Sequence, residues 1–221
     1  MRVRQECLTY WNDGAQTMST AVATKARGYT PEDLLNMPDG KSYELVNGRL
    51  VERSMGAESG LVGMRLASRL DRFCEDHDLG LVWGAENGYQ CFPHAPGTVR
   101  KPDISFVKKG QLPGDVAPKG WVRIPPDLAV EVVSPNDLVG ELEEKLDDYR
   151  KARIPLVWVI YPEQRKARVF RLDGSTTVLS EDDVLSGEDI IPGFRCPLRE
   201  ILPKPAPAEP PTAGPNGSDR V

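Results

Sequence analysis

This sequence predicts an α/β fold, a mixed β-sheet flanked by α-helices with a helix and a β-hairpin at its N-terminal end. Three observations predict it. The run 126–133, Pro-Asp-Leu-Ala-Val-Glu-Val-Val, is apolar on both faces apart from one acid, as a central strand covered on two sides should be. The stretch 137–152 follows it directly with apolar residues at helical spacing. Along the chain the order is helix, hairpin, helix, several strands, helix, strands, which fits a mixed sheet with helices packed on it.

Residues 1–27 are polar and poorly periodic and read as a mobile N-terminal extension, with Met18 inside it as a second candidate start. Thr30 is placed to cap a short helix, with Pro31 at its first position and Glu32 and Asp33 in its first turn; Pro38-Asp39-Gly40 ends it. Tyr43 to Glu52 forms a hairpin around the two-residue turn Asn47-Gly48. A helix from about 58 to 76 buries Val62, Leu66, Leu70 and Phe73 and leaves Arg65, Arg69 and Arg72 as a solvated cationic flank. Residues 79–92 suggest two strands around 84–88, and strands 100–107 and 126–133 follow, separated by a Pro/Gly-rich loop from 110 to 120. The helix over 137–152 buries Leu138, Leu142, Tyr149 and Ala152, with Ser134, Asn136 and Asp137 available to cap it. Leu156 to Tyr161 is a strand of almost unbroken apolar character, joined through Pro162 to Arg165 to a more exposed strand over 167–172. From Pro203 the composition cannot bury a core, so 203–221 is a disordered Pro-rich tail and 28–202 the folded body.

Composition excludes some functions. The chain has 221 residues, enough for one α/β domain, and a formal net charge of -5, which rules out a bulk electrostatic footprint for nucleic acid. Only a local basic patch, such as Arg100, Lys101, Lys108 and Lys109, could supply one. Cys7, Cys74, Cys91 and Cys196 are scattered and suggest neither a zinc site nor a disulfide framework, so a cytoplasmic location is the simplest expectation. No apolar run is long enough to span a membrane.

Two residues break their own patterns. In the strand over 126–133, Leu128, Val130 and Val132 share one face while Ala129, Glu131 and Val133 share the other, so Glu131 is an acid in an apolar row. A buried carboxylate needs a cation, a metal or several donors beside it. Lys145 occupies the inward stripe of the following helix, seven residues after Leu138, and the helix can fold back to bring it towards Glu131. A purely structural Glu131–Lys145 ion pair fits the same pattern. Tyr149 and Trp158 read as core residues, and Ser134 as a turn or cap, since no histidine follows it and no Gly-x-Ser-x-Gly elbow surrounds it.

The ordered series Pro102-Asp103, Glu131-Val132-Val133-Ser134-Pro135, Lys145 with Tyr149, and Val157-Trp158-Val159-Ile160, preceded by the hairpin Tyr43 to Leu50, resembles the Uma-type bacterial proteins described as restriction endonucleases, within the PD-(D/E)xK nuclease superfamily. The resemblance runs from about Tyr29 to Leu202. Two departures stand out. The superfamily lysine lies two residues after the second acid, where this chain has Val133, and similar proteins carry it on the next helix, where Lys145 stands. A histidine common in relatives near residues 57–60 is replaced here by Ser59.

The resemblance implies a restriction-endonuclease-like fold and an endonuclease acting on DNA, with Asp103, Glu131 and Lys145 as catalytic residues and Glu44 beside them. Asp103, Glu131 and the backbone carbonyl of Val132 would ligate Mg2+ or Mn2+, and Lys145, its pKa lowered by desolvation, would hold water or steady phosphoryl charge. Cutting both strands of a duplex would take a homodimer. Glu44 could equally project from the hairpin into solvent. Two other functions suit the sequence: a catalytically silent nuclease-like fold serving as an interaction or regulatory module, and a metal-dependent hydrolase of a small phosphorylated substrate.

Overall fold

The computed structural model describes residues 28–53, 56–135 and 137–204. The expected extension over 1–27 and the tail from 205 onward lie outside the described residues, as does Asn136 among the expected caps.

Helix α1 (Pro31–Asn36) starts in a capping box: the Asp33 amide donates to the Thr30 hydroxyl and the Thr30 amide to the Asp33 carboxylate. Strands β1 (Tyr43–Val46) and β2 (Arg49–Glu52) pair antiparallel around Asn47 and Gly48, both at positive φ as the tight turn demands. Helix α2 (Ala57–Asp76) buries Val62, Leu66, Leu70 and Cys74. The main sheet then comprises β3 (Gly80–Gly84), β4 (Ile104–Lys108), β5 (Leu128–Val132), β6 (Leu156–Tyr161), β7 (Lys166–Arg171) and β8 (Thr176–Ser180), in that spatial order. All neighbours are antiparallel except β5 and β6, whose parallel pairing needs the crossover supplied by α3 (Val139–Lys151). A small ladder of β9 (Val184–Ser186) and β10 (Arg195–Pro197) leads into the short α4 (Leu198–Ile201).

The alternation in β5 assigns its two faces as expected. Leu128, Val130 and Val132 pack with Val62, Leu66 and Leu70 of α2, whereas Ala129 packs with Tyr149 of α3. The two long helices therefore cover opposite faces of the sheet. None of the helices among the described residues is long and apolar enough to cross a membrane.

The structure corrects several expectations. No second strand forms over 86–92; Tyr89 makes only single bridges, to Arg100 and to Val122, where Pro93, Pro96 and Gly97 deny the segment a regular ladder. Leu138 is the N-cap of α3 and 52% exposed, because the helix starts one residue after it; among the described residues no side chain caps α3, and the Asp137 carboxylate instead accepts from the Ser134 amide. The proposed basic patch does not exist as a surface, since Arg100 and Lys101 are buried. Nor is the α2 flank merely solvated: Arg65 donates to the carbonyls of Ile201 and Leu202, and Arg69 pairs with Glu200, so two of the three arginines hold the C-terminal helix.

Candidate active site

Asp103 and Glu131 meet because β4 begins where β5 ends. In this antiparallel pair Ile104 faces Val130, so one further step of the register sets Asp103 opposite Glu131. The Asp103 side chain ties the two strands together at this end: its Oδ2 accepts from the Val132 amide at 2.8 Å. The N–H and C=O of one strand residue point to the same side, so the Val132 carbonyl faces the same edge as that amide. The other Asp103 oxygen accepts from Arg53 at 3.0 Å, whose guanidinium also donates to the Ala85 carbonyl at 2.7 Å.

Glu131 lies on the face of β5 covered by α3. Lys145 and Tyr149, one helical turn apart, both reach it: Lys145 Nζ donates to Oε2 at 2.9 Å and the Tyr149 hydroxyl to Oε1 at 2.6 Å. Glu44 arrives from the hairpin. A bridge between Leu45 and Val99 fastens β1 to the segment leading into β4, which turns Glu44 inwards rather than into solvent. Its Oε1 accepts from the Lys101 amide at 2.6 Å and lies 3.0 Å from Lys145 Nζ, and its Oε2 accepts from Arg100 at 3.2 Å. All four residues singled out in the sequence thus line one cavity of about 340 Å³.

Behind them stands a layer that sequence reasoning missed. Arg100 links Glu44 to Asp148, and Asp148 in turn pairs with His94 at 2.8 Å. Arg53 and the Tyr149 hydroxyl were also missed as site groups. The helical spacing of Tyr149 from Lys145 was a usable signal for the latter; nothing local marks Arg53, which follows β2 by one residue. Trp158, by contrast, is buried in the core as expected. Ser59 sits on the cavity wall with its hydroxyl donating to the Gly56 carbonyl.

The electrostatics separate the three acids and the lysine. Burial pushes Glu131 up to about 7, reinforced by the Asp103 and Glu44 charges and opposed by Lys145. Burial would also raise Glu44, but Lys145, Arg100 and the Lys101 amide outweigh it and hold the carboxyl below its ordinary value. For Lys145 the expected downward shift is reversed. Burial does favour the neutral amine, yet Glu131 and Glu44, each within 3.0 Å, overcome it and keep the ammonium charged.

Among the described residues no three His, Cys, Asp or Glu side chains are grouped as a metal cage. The donors that do share this edge, two carboxylates and a backbone carbonyl, are hard oxygens. That set fits an ion such as Mg2+, which binds through one or two carboxylates and keeps several waters and substrate oxygens. A cation there would also meet the buried charge that Glu131 otherwise carries at a cost.

Comparison with known proteins agrees with this architecture. Residues 31–199 match the family model of Uma2, described as a putative restriction endonuclease. A crystal structure of a putative nuclease belonging to DUF820 from Anabaena variabilis superposes with a TM-score of 0.66 at 16% identity, covering 79% of this chain and 97% of that one. At that identity the likeness shows the fold. No curated protein matches the chain.

Proposed function

This chain belongs to the Uma2 family, and from that premise we propose that it is a metal-dependent endonuclease hydrolysing phosphodiester bonds in DNA at Asp103, Glu131, Lys145 and Glu44. The observation that carries the reading is the convergence, in one cavity, of acids from β1, from the start of β4 and from the end of β5 with a lysine from α3. Asp103, Glu131 and the Val132 carbonyl would hold Mg2+ or Mn2+. When bound, such an ion supplies Lewis acidity towards the phosphoryl oxygens and a lowered pKa for a coordinated water.

The protein groups have separable tasks. Lys145 is a fixed positive charge, not a base, because two carboxylates hold its proton; its place is beside the charge that grows on the phosphoryl oxygens. Glu44 stays ionised and pins Lys145. Tyr149 and Lys145 together fix the rotation of the Glu131 carboxylate, and Arg53 with the Val132 amide fixes that of Asp103. Cutting both strands of a duplex takes two such sites, so a homodimer accompanies that version of the reading.

One observation favours a rival. Each acid of the cluster is already paired with Arg53, Arg100 or Lys145, so the network is balanced as it stands and suits a silent fold acting as an interaction module. Calorimetric titration of Mn2+ and Mg2+ into the wild type and Asp103→Asn separates the two. Saturable binding that the substitution abolishes is expected; no binding to either protein would leave the cluster a structural network.

A further inference from the structure

The cavity is a slot between helices rather than an open platform. Its volume, about 340 Å³, is at the lower end of the range of small-ligand sites, roughly 300–1,000 Å³. The groups that would act on a phosphate are recessed within it: the Glu44, Glu131 and Lys145 side chains are 4%, 7% and 14% exposed, and Asp103 is 29% exposed. One wall is the start of α2, where Gly60 and Gly63 line the slot and a Cβ on either would meet nothing within 4 Å. The other is the start of α3. Apolar side chains stand at both walls, Met64 on α2, 66% exposed, and Leu138 before α3.

Charge points the same way. The three basic residues lining the slot, Arg53, Arg100 and Lys145, are the recessed ones, and each is bonded to a carboxylate of the cluster. The remaining charged residues lining it, Glu52, Asp137 and Glu141, are acids, and Glu52 is exposed. A duplex presents a charge about every 1.7 Å and is gripped by Lys and Arg on its phosphates. Among the described residues lining the slot no basic lip is offered to it, and the acting groups lie below the surface that a rigid duplex would touch. An unpaired strand can reach them. It enters one nucleotide at a time, and its bases find apolar side chains to lie against, as bases taken out of the stack do.

Resting on the nuclease reading above, we infer that the substrate of this slot is an unpaired DNA strand, such as a single strand, a flap or a loop, and not the interior of a duplex. The consequence for binding is a shallow dependence on salt, because few phosphates exchange counterions with the protein.

The test compares three substrates under one Mn2+ condition: a short labelled single strand, the same strand annealed to its complement, and bis(p-nitrophenyl) phosphate as a small diester. Single-strand cleavage at least about tenfold faster than duplex cleavage is expected, since a duplex must first be opened. Equal or faster cutting of the duplex overturns the inference and leaves the nuclease reading standing. Hydrolysis of the small diester alone also overturns it. If none of the three is cut by metal-loaded protein, the reading beneath it falls and the inference with it. Gly63→Leu provides a second arm, because a Cβ there meets nothing within 4 Å and the helix gains a better former. Its melting temperature should hold or rise while single-strand cleavage drops at least about tenfold, the mark of a blocked path; an unchanged rate would show that no strand passes along that wall.

Discussion

Lys145 serves two carboxylates at once, and that sets what its loss would cost. Glu131 and Glu44 lie 2.9 and 3.0 Å from its ammonium, both buried, so Lys145→Ala strands buried negative charge. A loss of about 3–5 kcal/mol is expected from urea denaturation, the range for breaking a buried pair by removing one partner. A loss below about 1 kcal/mol would mean that water reaches the pair freely and that the cluster is a surface feature. Two groups of this cluster were legible early, since Glu131 and Lys145 each interrupt an apolar pattern. Arg53 and Arg100 were not, because neither interrupts anything; only their partners 50 and 56 residues away make them part of the site.

The hairpin β1–β2 is the element that delivers Glu44, and its turn is where the delivery is set. Gly48 has φ +81°, and an added Cβ there would be at least 3.6 Å from its nearest neighbour, so Gly48→Ala acts through backbone strain and not through a clash. A destabilisation of about 1–2 kcal/mol is expected in thermal or chemical unfolding. An unchanged stability would show that the turn relaxes to another type. The hairpin itself was readable from Asn47-Gly48, and the central strands from their apolar runs. The region around Tyr89 misled because its alternation is genuine but serves single bridges to Arg100 and Val122; a strand needs a continuous partner, and Pro93 and Pro96, just beyond the segment, offer no amides to extend the pairing.

At the scale of the whole molecule the buried network ties stability to pH. Glu44 has a folded-state pKa below its ordinary value of 4.5, so its contribution is present above that value and is lost as the pH falls through the folded one. Wild type should therefore lose more melting temperature between about pH 5 and pH 3 than Glu44→Gln, whose amide has no proton to gain. Equal slopes would mean that Glu44 is as free in the folded protein as in the unfolded chain.

By itself the sequence determined the long helices and central strands, the two faces of β5, the hairpin turn and the acid and lysine that break their patterns, because each depends on spacing within one element. Only the tertiary structure decided what those residues meet. The step of register from Ile104–Val130 to Asp103–Glu131, the inward turn of Glu44, and the reversal of the Lys145 shift all come from contacts between segments distant in the chain. The shape of the slot belongs with them, since its width is a distance between α2 and α3, which lie on opposite faces of the sheet and share no local sequence signal.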